Sequence, residues 1–406
     1  MTTDPRLPRR KRDALLWPGL LPLALAQVAA STAAGLVLTI ASVTALTLSG
    51  SEQIAGLVQT STVVGASALT VPIARLTLRF GRRAALAVAY GTAALGSVIG
   101  AAAVAADLWV LFLAAAALIG GGTVAGLAAR FAAADLAPRD TAVAIALVLW
   151  ASTVGSIVGP NLAGATGLAS APAFLLPAVL YGSAAACVVV GLRRTEVATT
   201  PQRRESARTA DVIAVFLAHP RAVAGLAVTA AVHATMIALM TMAPVHLHHE
   251  DEPTGVVGLL MSAHLAAMYA LSPLFGLLVR RAGALRSGAA GLGVAVVAGG
   301  VLAVGASRGA VVFALGLTLL GIAWSLGMVA GSTLVTEAIG PRERTLTQGA
   351  TDLLINLGGG VASVVAGSVV ASAGYAPLAW GFAAAVALAA VVLLAAVARR
   401  TRAAPS

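Results

Sequence analysis

Methionine and histidine are unevenly spread along this chain of 406 residues. Apart from Met1 there are six of each, and ten of those twelve fall between positions 233 and 268: His233, Met236, Met240, Met242, His246, His248, His249, Met261, His264 and Met268. His233, Met236 and Met240 follow an i, i+3, i+7 pattern, which Met261, His264 and Met268 repeat. On a helix advancing ~100° per residue, each triad is a stripe on one face. Thioether sulfur is soft and uncharged, so it suits Cu(I) and serves Mg²⁺, Ca²⁺ or Zn²⁺ poorly, while imidazole adds affinity for the same ion. A neutral Met and His site also carries a monovalent ion without burying carboxylates.

Methionine is equally a filler of gaps in helical cores, and a lone Met pair at i, i+4 packs as well as it ligates. Histidine shifts the balance, because it is costly in hydrocarbon and marks function there. If the stripes lie on neighbouring antiparallel helices, Met240 comes level with Met261, Met236 with His264, and His233 with Met268. That is a ladder roughly 10 to 21 Å below the outer helix ends. The segment from His246 to Glu252, with His248 and His249, reads as an outer loop that collects metal or as an ordinary solvated loop.

Other chemistry is sparse. Asp352 lies a turn or two into an apolar stretch and is expected to face a watered cavity and to serve in coupling, since a carboxylate in hydrocarbon costs several kcal/mol. No nucleophile, base and orienting group assemble in a soluble segment, and no phosphate-binding Gly-Lys-Ser/Thr loop is present, so an enzyme is not expected.

The elements that must position these residues follow from composition. With 59% hydrophobic and 10% charged residues, the chain lacks the polar surface to cover a soluble globule, and lipid must do the covering. Apolar blocks of ~20 residues or more recur with short polar breaks. They give twelve transmembrane helices near 18–46, 54–78, 84–105, 108–134, 142–166, 172–192, 221–247, 254–279, 284–305, 310–337, 346–372 and 377–398. The fold class is all-α integral membrane, in two six-helix halves: 1–192, a cytoplasmic linker loop at 193–220, and 221–406. Tracing the 26 Arg and Lys residues through these spans puts 25 on one side and Arg308 alone on the other. Both termini and the linker are therefore expected in the cytoplasm. The net charge of +11 marks membrane edges and not nucleic-acid binding. The basic run Arg9 to Arg12 precedes a hydrophobic block too long for a signal peptide, so that block reads as a retained helix. The one cysteine, Cys187, excludes an intramolecular disulfide.

The halves repeat at an offset of about 202 residues: Arg79-Phe80-Gly81 recurs as Arg281-Ala282-Gly283, and Pro138-Arg139-Asp140 as Pro341-Arg342-Glu343. With Arg79, Gly81, Arg82 and Arg83 in the loop after the second span, the chain resembles the major facilitator superfamily over essentially its whole length. Leu78 and Arg280 stand where that family usually carries an acid. Gly155, Gly159 and Pro160 in the fifth span resemble a family motif associated with antiporters and also suit close helix packing. Met236-x-x-x-Met240 and His264-x-x-x-Met268 look like the paired motif of CcoA-like copper importers of bacterial inner membranes. The resemblance implies copper as the transported ion, these four residues as ligands with His233 and Met261 beside them, no prosthetic group, and copper chaperones or cytochrome oxidase assembly factors as partners. Relatives in the wider family carry organic solutes such as riboflavin. The rival expectations are therefore an importer of a small organic solute and a proton-coupled exporter. The first asks for aromatics around the cavity, which are 4% of the chain. The second asks for a buried titratable group, for which only His233, His264 and Asp352 qualify.

Overall fold

The computed structural model of the protein describes residues 20–166, 171–192, 209–252 and 254–403. The described residues form α1 (Leu20–Ser49), α2 (Glu52–Ala105), α3 (Trp109–Leu136), α4 (Thr141–Thr166), α5 (Ala171–Gly191), α6 (Thr209–Ala218), α7 (Pro220–His249), α8 (Thr254–Tyr269), α9 (Ser272–Ala282), α10 (Ala284–Arg308), α11 (Ala310–Ala338), α12 (Pro341–Ala373) and α13 (Tyr375–Ala403). This is the all-helical, twelve-crossing membrane fold expected. Large apolar side chains such as Val190, Val311 and Leu388 stand on its surface, where lipid covers them.

Two departures from one helix per crossing have local causes. α2 runs 54 residues, about 80 Å at the α-helical rise and far more than a bilayer needs. It is two crossings joined at Gly81, whose φ of 83° is open to glycine and strained for other residues. Gly283 makes the same turn between α9 and α10 with φ 89°, so the sequence repeat is also a repeat of backbone geometry. The eighth crossing, expected as one helix over 254–279, is instead broken into α8 and α9. Pro273 has no N–H for the Tyr269 carbonyl four residues back. The Ser272 hydroxyl takes over, lying 2.6 Å from that carbonyl and 2.9 Å from the Ala146 carbonyl of α4.

Packing divides the helices into two sets. α1 to α5 pack on one another around Leu23, Leu36, Ile40, Tyr90, Phe112 and Phe174, and α7 to α13 around Val228, Leu239, Leu302, Leu317 and Met328. The sets meet where α2 and α3 face α12, and where α4 faces α8, α9 and α11. The close points lie toward the face bearing the basic loops. A side chain on Gly349 would stand 2.6 Å from the Ala74 side chain, and one on Gly276 2.6 Å from that of Ala146. Among the described residues α1 and α7 share no packed face, so the halves are joined at the basic end.

Candidate transport pathway between the halves

α7 carries its stripe with Met236 buried and His233 and Met240 half-buried. On α8, His264 and Met268 are buried and Met261 is half-buried. The ladder expected between them takes a different form. α7 and α8 barely touch, because α11 lies between them and packs on both. Glycines let it in. A side chain on Gly321 would stand 2.6 Å from the His264 carbonyl oxygen, while Gly327 gives room to Val232 and Gly331 to Thr229 of α7. The two stripes are therefore set around α11, not paired rung against rung.

The two histidines are held in opposite ways. His264 Nδ1 lies 2.7 Å from the Leu317 carbonyl, which can only accept, so Nδ1 carries the proton. In the neutral ring Nε2 then presents a lone pair, and it is buried without a protein partner among the described residues. His233 is reversed: the Trp324 indole N–H, which can only donate, points at Nδ1 from 3.1 Å. Its lone pair is engaged and its Nε2 faces Gly359 of α12. The Tyr269 ring meets Trp324 edge-on at 5.6 Å, so His233, Trp324 and Tyr269 join α7, α11 and α8 in one aromatic and polar chain. Trp324 escaped the sequence reading. Its signal was a tryptophan in mid-span, away from the membrane edges where the residue usually gathers.

The outer histidines are not on a loop. α7 continues to His249, and the turn comes at Glu250 and Asp251, the latter with φ 56°. His246 stacks on Tyr375 at 5.0 Å and lies 5.1 Å from Phe313, while the Tyr375 hydroxyl donates to the Leu239 carbonyl at 2.9 Å. The side chains of His248, His249 and Pro160 lie outside the described residues. Among the described residues no three His, Cys, Asp or Glu side chains gather as a metal cluster.

Below the α7 stripe, toward the basic face, the halves are linked by a buried ion pair. Arg130 of α3 donates to Asp352 of α12, and both are shielded from solvent. Arg130 had counted among the basic residues of the membrane edge, a reading the structure corrects: it is 0% exposed, inside the interface. Its Nη1 lies 3.6 Å from the Met328 sulfur of α11, and its Nε has no protein partner among the described residues. Asp352 borders a cavity that is also lined by Thr70, Thr77, Arg82, Gln348 and Gly349.

Further out, Arg82 bonds Gln348 across the halves and Asp135 within its own half at 2.8 Å. Arg344 reaches Asp135 at 3.8 Å and Arg280 reaches Asp140 at 3.3 Å, both across the halves. The acids missing at Leu78 and at the position of Arg280 are thus supplied by the end of α3 and the loop after it. Arg79 lies against the Phe80 ring at 5.1 Å on the exposed edge, and Arg83 is half-buried. Gly155 and Gly159 pack α4 on α1. A side chain there would stand 2.0 Å from Ser31 Oγ or 2.5 Å from the Thr32 carbonyl oxygen. The first half also buries a small polar network, in which Gln27 donates to Ser152 at 2.9 Å and accepts from Tyr90 at 3.3 Å.

Twelve crossings in two packed sets, joined at one end by polar links and holding buried polar side chains between them, define a multi-pass membrane transporter built from two halves. The chain belongs to the Major Facilitator Superfamily, whose family model matches residues 23–251. It is 30% identical over 369 residues to the uncharacterized MFS-type transporter YdeG of Bacillus subtilis, covering 85% of this chain and 84% of that one. It is 32% identical over 321 residues to the riboflavin transporter RfnT of Brucella anthropi, covering 77% and 78%. The human organic anion transporter MFSD10 shares the fold at a TM-score of 0.75 and 16% identity, over 93% of this chain and 99% of that structure.

Proposed function

We propose that the protein imports copper across the bacterial inner membrane by alternating access, with both termini cytoplasmic. The observation that carries this reading is His264. Its Nδ1–H is fixed on a backbone carbonyl and its Nε2 is buried and unpartnered, the tautomer and orientation that metal-ligating histidines adopt. Met268 lies one turn along the same helix, and Met236 and Met240 follow on α7 across α11. Three thioethers and one imidazole form a donor set for Cu(I). Because α11 separates α7 from α8, the two ligand pairs act in succession or come together as α11 shifts during rocking.

Copper uptake by intact cells at matched protein abundance tests the reading. The Met236→Leu, Met240→Leu double variant keeps volume and apolarity but loses sulfur, and is expected to lose uptake at least tenfold. Packing alone predicts little change, since Met to Leu swaps cost under ~1.5 kcal/mol. Normal uptake by that variant would sink the copper reading.

One observation favours a second reading, an importer of a planar organic solute. The Trp324 and Tyr269 rings stand together at mid-depth, and the relative RfnT is a riboflavin transporter. Riboflavin uptake that survives the double methionine variant and fails in Trp324→Ala would establish it.

A further inference from the structure

We propose that α6 is an interfacial helix whose exposed face binds the anionic phospholipid surface of the leaflet at the basic end of the transporter. The membrane fold and the contacts of α6 carry it, whatever the cargo. Among the described side chains of α6 the exposed ones are Ile213, Ala214, Leu217 and Ala218, all of them apolar, with Leu217 71% exposed and Ile213 54%. At ~100° per residue these four cover one side of the helix. The other side is occupied: Phe216 is buried with Ala222 of α7, Val335 of α11 and Ile339, and Val215 packs against the same cluster. One face of α6 is thus fixed on the protein, and the other is apolar surface that water covers poorly.

Its contacts set its depth. Ala222 lies in the first turn of α7, Val335 and Ala338 in the last turn of α11, and Ala350 only a few residues into the apolar part of α12 that begins at Thr347. α6 is therefore level with the helix ends, where headgroups lie, and its ten residues rise only ~15 Å, about half of what a crossing needs. The joint to α7 holds it there. The His219 ring bonds the Val215 carbonyl at 2.8 Å, and the His219 carbonyl accepts from the backbone N–H groups of Ala222 and Val223 at 2.8 and 3.2 Å, while Pro220 opens α7. Val223, in that first turn, is exposed as well, so the apolar face of α6 runs on into the lipid-covered surface of α7. Charge selects the lipid. Arg221 is exposed directly after the joint, Arg139, Arg280 and Arg281 are exposed on the same face, and the sequence from Arg193 to Arg221 holds six arginines against Glu196, Glu205 and Asp211. Apolar burial together with attraction of basic residues to anionic headgroups is how interfacial helices hold to a membrane. Two large side chains on so short a helix fall far below the ~800 Å² per partner of a stable protein interface, so a second copy or a soluble protein does not suit this face.

Depth measurements on the full chain test this. Cysteines replace Ile213 or Leu217, one at a time in a Cys187→Ser background, and carry spin labels in nanodiscs of phosphatidylcholine alone or with added phosphatidylglycerol. Both side chains are exposed, so their replacement leaves the packing of Phe216 untouched. Collisional access is read with oxygen, which partitions into lipid, and with a nickel chelate, which stays in water. At both positions oxygen access is expected to exceed nickel access several-fold, and a label replacing the exposed Arg139 is expected to show the reverse. Phosphatidylglycerol is expected to lower nickel access at 213 and 217 further, and high salt to undo that gain by screening. Free access of the nickel chelate at both positions in both lipids overturns the proposal, because the face then lies in water. Equal depth with and without phosphatidylglycerol overturns the assignment to anionic lipid. Labels shielded from both reagents and broadened by a neighbouring label would give the face to a second copy, which overturns it too.

Discussion

At the scale of single residues, hydrogen-bond roles separate side chains that look alike in sequence. His233 and His264 sit in matching stripes, yet Leu317 leaves Nε2 of His264 free to ligate while Trp324 occupies the lone pair of His233. His264→Ala is therefore expected to abolish copper uptake and His264→Met to retain part of it, since one soft donor replaces another. His233→Gln is expected to slow uptake only a few-fold. Uptake measured at matched abundance checks the order, and equal losses for His233→Gln and His264→Ala would refute the distinction. The candidate residues were legible because Met and His are rare here and their spacing is helical. Their partners were not, because Leu317 is 53 residues from His264, and Asp352 is 222 residues from Arg130. Nothing local announces such pairings.

At the scale of elements, hydropathy made the crossings readable, and the broken eighth crossing shows what it misses. A window average does not register that Pro273 strips Tyr269 of its acceptor's partner or that Ser272 supplies one. The adjacency of α7 and α8 failed for a different reason. Successive helices usually neighbour each other, but the glycines at 321, 327 and 331 let α11 settle between them. Glycine is therefore where element packing is most exposed to mutation. Gly155→Val would force a side chain to within 2.0 Å of Ser31 Oγ and 2.4 Å of the Thr32 backbone nitrogen, whereas Gly182 has nothing within 4 Å. We expect Gly155→Val to lose its monodisperse peak in detergent size-exclusion and Gly182→Ala to keep it. Ser272→Ala should cost about 1 kcal/mol, the value of a net hydrogen bond, seen as a lower melting temperature in a thermal-shift series.

At the scale of the whole molecule, charge bears on both orientation and closure. With Arg130 assigned to the interior, the tally expected from sequence falls from 25 to 24 basic residues against Arg308, which leaves the positive-inside expectation as it stood. The same face carries the cross-half links Arg344 to Asp135 and Arg280 to Asp140. These pairs are partly exposed, and pairs of that kind contribute roughly 0–1 kcal/mol each and weaken with salt. They bias closure without enforcing it, as a carrier that must open repeatedly requires. On this reading a cysteine at position 251 reacts with an impermeant reagent from outside intact cells, and one at position 139 reacts only after the membrane is opened, both in a Cys187→Ser background. Labelling at 139 but not at 251 would invert the orientation. The Asp135→Asn, Asp140→Asn double variant should then raise labelling at Ala74, which packs against Gly349 in the closed face, when a cysteine is placed there in inverted membrane vesicles. Raising salt on the unaltered links should move labelling in the same direction. If neither change alters access to position 74, the surface links do not govern closure, and the buried contacts of Gly276 and Gly349 hold the face shut by packing alone.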